Sequence, residues 1–445
     1  MRIQLFGAFS VAALAVLGGD LTFKIASDHE DALYRCGETA TFTVTALDEG
    51  GKPAADGKVE AKLDDWGQLS LSAETFDLAK SNPFSIKGKL DAPGFLRLRL
   101  KEAKKKVKET VWGVGYEPER IRKGSPSPDD FDEFWAETMK RLDATTSPEP
   151  TIVRIPEKCS REFDFFRISF NTFEGRRVYG MLTIPTDKSK SRNGRFPVRF
   201  SVPSAGLGAW TFNLRGEPDA ICMMMTVHTT FETPFDVKGL AECHKRNAQM
   251  LREKYGCPSY QLAGLDKSRE DYYFYPAIAG INRAANWLAA RPDVDLSDFT
   301  YAGGSQGGGF GFILLGLNRH FTRAALRVPA ITDIMGRLAG RSSGWPHYDE
   351  YFRGDRLAAA DKNAPYFDGA NFASRITCPI RMVVGFADTT CPPCAVYAAY
   401  NNIASKDKKI YNAIGMGHGK PSIYHSLLEN WQRGGGDLAS ERKNK

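Results

Sequence analysis

The chain has 445 residues, a hydrophobic content of 42% and a formal net charge of +7. These values are ordinary for a globular protein that buries a large core, and at about 150 residues per domain the length suggests two or three domains. Several lysines cluster at residues 101–108, but no motif for DNA or RNA binding accompanies them, so we expect no nucleic-acid partner.

The first residues have the pattern of a secretory signal peptide. Arg2 is the only early charge, and residues 5–17 are apolar and rich in small side chains. This run is too short to span a bilayer as a stable helix, and no later segment of the sequence is long and apolar enough to do so. We therefore expect residues 1–18 to be a signal peptide and the protein to be secreted or periplasmic.

Residues 19–115 alternate between apolar and polar side chains with the period of a β-strand. Turn sequences rich in Gly, Pro, Asn and Asp separate the apolar sets, as at residues 48–53 and 91–94. Short strands at this spacing predict a small all-β sandwich of immunoglobulin-like size. No polar cluster in this region suggests catalysis, so we expect a structural or sugar-binding role for it.

Residues 116–150 read as a linker followed by a helix. Pro128 and Asp130 favour a helix start, and an apolar stripe at helical spacing follows from Phe131 onward. From 151 to 435, short apolar runs alternate with helical segments, as in a doubly wound parallel sheet. The first two strands of this region alternate like an antiparallel pair. We therefore predict an α/β-hydrolase catalytic domain at residues 151–435.

The segment Gly303-Gly304-Ser305-Gln306-Gly307 fits the motif Gly-x-Ser-x-Gly. An apolar run precedes it and a helical pattern follows it. A nucleophile on a sharp strand-to-helix turn has strained backbone angles, so its neighbours must lack side chains. A phosphate-binding turn is the alternative, but the Lys-Ser/Thr of a P-loop and the spacing Gly-x-Gly-x-x-Gly are both missing. We therefore predict that Ser305 is a nucleophile.

A serine nucleophile needs a base, and the base needs an acid that holds it in the right tautomer. Asp388 and His418 each follow a predicted strand, in the chain order Ser, Asp, His that this fold uses. Both should therefore emerge at the edge of the sheet that carries Ser305, and we predict a triad of Ser305, Asp388 and His418. Asp333, which also follows a predicted strand, is the rival acid.

Further site residues are predicted from their places around this motif. The backbone N–H of Gln306 should supply one oxyanion donor, and Ala205, in the loop after an earlier strand, should supply the other. His228 follows a central strand and could line a substrate pocket. Trp210 and Trp345 could stack on a sugar ring, or pack in the core instead. We expect no metal and no cofactor.

Eight cysteines are scattered through the chain, which excludes a disulfide scaffold. Cys391 and Cys394 form a C-x-x-C sequence, but without a second pair this does not indicate zinc. A local disulfide and two buried thiols both fit the pattern.

At these motifs the sequence resembles the carbohydrate esterase family that joins acetyl xylan esterases and cephalosporin C deacetylases. The resemblance covers roughly residues 116–431 and rests on the segments 130–135, 302–309, 366–373 and 388–401 and on the pair Gly417-His418. It implies an α/β-hydrolase that removes acetyl groups from sugars, with Ser305, Asp388 and His418 as its triad. An acetylated carbohydrate is the implied partner, and a homo-oligomer stays open.

Two places depart from the family pattern. Residues 227–230 stand where the family carries Arg-Gly-Gln, and Pro203-Ser204-Ala205 replaces a glycine-containing oxyanion loop. These departures leave the assembly and the exact substrate open. A peptidase, an esterase for longer or aromatic acyl groups, and a non-catalytic glycan-binding protein are the alternatives.

Overall fold

The structure is a computed structural model. It describes residues 21–67, 69–103, 109–206, 214–232, 237–419 and 422–436. The predicted signal peptide at 1–18 and the predicted sugar contact Trp210 lie outside the described residues. None of the helices in the described ranges has the length and apolar character needed to cross a membrane.

The N-terminal part of the chain folds into two small sheets. Its strands are β1 (Thr22–Ser27), β2 (Leu33–Tyr34), β3 (Ala40–Leu47), β4 (Lys58–Asp64), β5 (Ser70–Asp77), β6 (Phe84–Gly88), β7 (Gly94–Glu102) and β8 (Thr110–Tyr116). One sheet has the order β1-β3-β6 and the other the order β2-β8-β7-β4-β5. Alternate residues are buried, as Phe42 and Val44 are in β3, because each sheet presents one apolar face to the core. The predicted all-β unit is confirmed.

Strand β8 breaks this alternation. Every residue from Trp112 to Tyr116 is buried, which means that both faces of the strand are covered. On one side a Cβ atom added to Gly113 would lie only 2.0 Å from the carbonyl oxygen of Phe386. The unit formed by β1–β8, called the N-terminal β unit below, is therefore packed directly against the rest of the chain.

A sheet of nine strands forms the centre of the larger part. Its strands are β9 (Thr151–Arg154), β10 (Phe163–Asn171), β11 (Arg177–Pro185), β12 (Phe196–Ser201), β13 (Ile221–Met225), β14 (Val294–Gly304), β15 (Arg323–Arg327), β16 (Ile380–Gly385) and β17 (Lys408–Ala413). The order is β17-β16-β15-β14-β12-β13-β11-β10-β9. Strands β12 to β17 pair in parallel, whereas β9, β10 and β11 pair antiparallel. The predicted α/β-hydrolase arrangement with an antiparallel start is confirmed.

Helices cover both faces of this sheet. They are α1 (Phe131–Thr145), α2 (Val237–Tyr255), α3 (Phe274–Ala289), α4 (Gln306–Leu317), α5 (Tyr348–Tyr351), α6 (Gly354–Asn363), α7 (Gly369–Phe372), α8 (Pro393–Asn401) and α9 (Ser422–Gln432). Leu326 of β15 belongs to the main core together with α3 and α4. Its neighbour Ala325 points the other way, into a second cluster with Leu427 and Leu428 of α9. Helix α4 is buried nearly throughout, so the residue just before it, Ser305, has a rigid support.

Candidate active site

Ser305 lies on the sharp turn between β14 and α4. Its backbone angles are φ 55° and ψ −124°, a strained conformation for a residue with a side chain. A Cβ atom at Gly303 would lie 2.4 Å from the carbonyl oxygen of Gly307, and one at Gly307 would lie 2.0 Å from that of Val202. The motif glycines are therefore required by close backbone approaches on both sides of Ser305.

Hydrogen bonds of the backbone hold this strained turn in place. The N–H of Ser305 donates to the carbonyl oxygen of Arg327 at 2.9 Å, and its own carbonyl oxygen accepts from Ala330 at 2.9 Å and Gly309 at 3.0 Å. Arg327 ends the neighbouring strand β15, so the turn is tied to the sheet as well as to α4. Ser305 is thus fixed before any substrate arrives.

His418 connects Ser305 to Asp388. Its Nε2 lies 2.9 Å from Ser305 Oγ, and its Nδ1 lies 2.8 Å from Asp388 Oδ2. Because an ionised carboxylate only accepts hydrogen bonds, Nδ1 carries the proton and Nε2 is free to accept the hydroxyl proton of Ser305. The structure thus brings together the three side chains that the sequence predicted as a triad.

The acid of this trio is buried and fully hydrogen bonded. Asp388 has 0% exposure, and its Oδ1 accepts the backbone N–H groups of Thr390 and Cys391, each at 2.9 Å. The His418 side chain is 28% exposed, and Ser305 is partly exposed. Solvent therefore reaches the hydroxyl and the imidazole, whereas the carboxylate is shielded behind them.

The rival acid Asp333 has other partners. Its carboxylate forms an ion pair with Arg341 at 2.6 Å and accepts the backbone N–H of Gly124 at 2.6 Å. It is fully buried and ties the linker before α1 to the segment after β15. In the structure Asp388, and not Asp333, is the carboxylate that contacts His418.

The predicted oxyanion donors lie on the two segments that flank Ser305. Gln306 is the first residue of α4, and the loop that contains Ala205 is tied to the turn by a hydrogen bond of 3.0 Å from Ser204 Oγ to the carbonyl oxygen of Gly304. The Gln306 side chain accepts a hydrogen bond of 2.7 Å from the Tyr260 hydroxyl. No sequence motif pointed to Tyr260. The oxyanion roles of Gln306 and Ala205 stay predictions.

The residues predicted to bind substrate occupy different environments. His228 is 2% exposed, and its Nδ1 lies 3.0 Å from the Tyr273 hydroxyl. Its ring packs edge-on against Tyr260, so it lies one layer behind Gln306. Trp345 is partly buried, and the nearby His347 reaches the carbonyl oxygen of Thr390, in the acid loop, at 3.0 Å. Their contacts with a substrate stay predictions.

Within the described residues, one group of side chains has ligand atoms close enough together to hold a metal ion. The ligand atoms of Asp388, Cys391 and His418 lie within 4.8 Å of one another. Burial, followed by the charge of Asp388, raises the pKa of the Cys391 thiol well above its ordinary value. Cys391 is therefore a neutral thiol, which is a poor metal ligand, and Asp388 and His418 already satisfy each other. The arrangement suits proton transfer better than metal binding.

Comparisons with known proteins agree on one group. The family model for acetyl xylan esterase matches residues 117–431. The chain is 27% identical over 405 residues to the acetyl esterase Axe7A of Xylanibacter ruminicola, covering 89% of this chain and 86% of that protein.

Two solved structures have a similar fold. Acetyl xylan esterase 1 from Thermoanaerobacterium sp. JW/SL YS485 superposes with a TM-score of 0.59 at 22% identity, over 71% of this chain and 96% of that one. The acetyl xylan esterase from Paenibacillus sp. R4 gives a TM-score of 0.57 at 21% identity, over 72% of this chain and 98% of that one.

Proposed function

Because the chain belongs to the acetyl xylan esterase family, whose members are carboxylic ester hydrolases, we propose that it removes acetyl groups from acetylated sugars or polysaccharides by an acyl-enzyme mechanism. The observation that carries this proposal is the unbroken hydrogen-bond path from Asp388 through His418 to Ser305. That path ends at a hydroxyl on a strained turn, which is the arrangement that acyl transfer to serine requires.

In the first half of the reaction, Ser305 Oγ attacks the carbonyl carbon of the acetyl ester while His418 Nε2 takes the hydroxyl proton. Asp388 keeps the imidazole in the required tautomer and stabilises its positive charge. The backbone N–H groups of Gln306 and Ala205 would stabilise the tetrahedral oxyanion, a contribution of about 10²–10³ in rate for each donor. The intermediate then collapses, and the departing sugar hydroxyl takes its proton from His418.

In the second half, water hydrolyses the acetylated Ser305. His418 now removes a proton from the water, which attacks the acetyl carbonyl and forms a second tetrahedral intermediate. When this intermediate collapses, the proton returns from His418 to Ser305 Oγ, and acetic acid leaves and gives its remaining proton to bulk water. Both halves use the same three side chains and need no other group to balance protons.

The proposal also covers the organisation and location of the chain. We place a signal peptide at 1–18, a β-sandwich domain at 19–115, a linker and helix at 116–150 and the catalytic domain at 151–435. The apolar stretch at residues 5–17 supports export by its length and composition. An exported enzyme would reach acetylated polysaccharides that lie outside the cytoplasm.

The proposal is tested by replacing Ser305 with Ala. Hydrolysis of p-nitrophenyl acetate and release of acetate from a panel of acetylated polysaccharides are measured for both proteins, with Ser297→Ala, an exposed serine, as the matched control. Ser305→Ala should lose turnover while its melting temperature stays within a few degrees of the wild type. Retained turnover in Ser305→Ala would overturn the mechanism, and a preference for peptides or long acyl esters would overturn the substrate class.

A further inference from the structure

The N-terminal β unit contacts the loop that carries His418. The Trp112 ring in β8 lies against Gly415, so closely that a Cβ atom on Gly415 would be 2.3 Å from it. Gly415 also has a φ of 71°, which favours glycine. Trp112 is 6% exposed, so its ring is held by packing. A rigid aromatic ring thus supports the chain just before His418.

The same unit contacts the loop that carries Asp388. The Phe95 ring of β7 meets the Phe386 ring edge-to-face, with the ring centroids 5.0 Å apart. Both rings have 0% exposure. The close approach of Gly113 to the Phe386 carbonyl oxygen, described above, adds a backbone contact at the same place. Only Ala387 separates Phe386 from Asp388. These contacts therefore fix the start of the loop that carries Asp388.

The two loops are also joined to each other. The N–H of Ala387 donates to the carbonyl oxygen of Met416 at 2.9 Å, and the N–H of Phe386 donates to that of Ala413 at 3.2 Å. A Cβ atom at Gly385 would lie 2.5 Å from the Met416 carbonyl oxygen. A shift of one loop would therefore displace the other.

From these contacts we propose that the N-terminal β unit positions the triad, with Trp112 and Phe95 as positioning residues that hold the loops of His418 and Asp388. The inference rests on the proposed function, in which His418 and Asp388 act as the base and the acid of the triad. Residues 415–419 read Gly-Met-Gly-His-Gly, and glycine-rich backbone has little stiffness of its own. The loop must therefore take its rigidity from what packs against it, and a misplacement of about 1 Å can cost 10²-fold in rate.

The test compares Trp112→Ala with Trp112→Phe and with Phe76→Ala as a control. Phe76 stacks on Phe84 within the N-terminal β unit, with the ring centroids 4.0 Å apart, so its loss weakens the unit without removing a loop contact. The values of kcat and KM for p-nitrophenyl acetate are measured well below every melting temperature. We expect kcat to fall by about 10- to 100-fold in Trp112→Ala at nearly constant KM, with most of the activity restored in Trp112→Phe and unchanged in Phe76→Ala.

A second variant keeps the inference falsifiable if Trp112→Ala does not fold. Phe95→Leu keeps an apolar side chain but loses the edge-to-face contact with Phe386, and its kcat should fall several-fold at constant KM. The inference is overturned if the folded loop-contact variants keep wild-type kcat, or if Phe76→Ala loses as much kcat as they do. Either result leaves the proposed function standing, because that proposal is tested separately, by the turnover of Ser305→Ala and by the substrate preference of the wild type.

Discussion

His418 Nδ1 lies 2.8 Å from Asp388 Oδ2, and the other oxygen of that carboxylate is held by two backbone N–H groups. An amide that keeps its oxygen on these two N–H groups turns its NH₂ donor toward Nδ1, which must then accept a hydrogen bond, so the wrong imidazole tautomer is favoured. The opposite orientation keeps the tautomer but sets the NH₂ group against two backbone donors, which disfavours it. We therefore expect Asp388→Asn to lower kcat by about 10³–10⁴-fold. Steady-state kinetics with p-nitrophenyl acetate would measure this loss.

Asp333→Asn is the matched control, because Asp333 is equally buried but pairs with Arg341. This variant should have a lower melting temperature, since it leaves the partly buried guanidinium of Arg341 with a weaker partner. Its kcat at 25 °C should stay close to the wild type. A folded Asp333→Asn protein that lost more activity than Asp388→Asn would restore Asp333 as the acid.

A second prediction concerns Tyr260, whose hydroxyl holds the side chain of Gln306 at 2.7 Å. Tyr260→Phe keeps the ring but removes this hydrogen bond, which is worth about 1 kcal/mol. If this bond holds the backbone N–H of Gln306 in the position where it donates to the oxyanion, kcat should fall about five-fold. The measurement is kcat at saturating p-nitrophenyl acetate.

Tyr272→Phe serves as the control for Tyr260→Phe. The Tyr272 side chain is buried, whereas Tyr260 is partly buried; the Tyr272 hydroxyl donates at 3.0 Å to the carbonyl oxygen of Gln261, away from Gln306. Both variants should lose similar stability, but only Tyr260→Phe should lose kcat. Equal kcat values in the two variants would show that the contact with Gln306 has no catalytic effect.

A third prediction concerns the glycine after the nucleophile. In Gly307→Ala the new methyl group would meet the carbonyl oxygen of Val202 at 2.0 Å, and backbone atoms cannot rotate away as a side chain can. The unfolding free energy should drop by about 3 kcal/mol, as measured by urea denaturation. Gly436→Ala, which has open space around it, should change stability by less than about 0.5 kcal/mol; a Gly307→Ala protein as stable as that control would contradict the steric explanation.

A fourth prediction concerns acid stability. Burial, with the nearby His244 second, lowers the pKa of His228 from its ordinary value of 6.5 to about 3, and burial lowers that of His244 to about 4. Between these values and pH 6.5 the unfolded chain binds protons that the folded chain does not. Stability is therefore fully present above pH 6.5 and is lost on acidification, by up to about 1.4 kcal/mol per pH unit for the buried His228. The contribution of His244 is smaller, because this side chain is only half-buried and solvent screens its charge.

The acid effect is measured as the urea unfolding free energy at several pH values between 4.5 and 7.5. His228→Asn keeps a polar atom near the Tyr273 hydroxyl but cannot titrate, so its stability should fall less steeply with acid than that of the wild type. His320→Asn, at an exposed position, should follow the wild-type slope. Parallel curves for the wild type and His228→Asn would refute the assignment to His228.

The sequence predicts the parts of the fold that have strong periodic patterns. Helix α4 and strand β16 appear as continuous apolar runs, because both are buried on all sides. Strand β8 does not stand out, since Gly113 and Gly115 interrupt its pattern and both of its faces are covered. Helix α2 is similarly hard to predict: buried side chains such as Leu240 and Leu251 are widely spaced in a polar segment.

The site likewise contains residues that the sequence predicts and residues that it does not. Ser305, Asp388 and His418 can be predicted because a short motif and the strand order place each one at the same sheet edge. Tyr260 cannot, because it reaches Gln306 from 46 residues away in a loop without a recognisable pattern. Contacts of this kind depend on tertiary packing, which leaves no local trace in a single sequence.

The double-sided burial of β8 has a consequence for evolution and engineering. The family model begins at residue 117, immediately after β8. The rings of Phe386 and Tyr397, which lie inside the family region, nevertheless pack against the ring of Phe95, which lies before it. An enzyme without the N-terminal β unit would expose the rings of Phe386 and Tyr397 to water, and this exposed apolar surface would favour aggregation. Relatives that lack the N-terminal β unit should therefore carry polar or smaller residues at the positions of Phe386 and Tyr397, exchanged together.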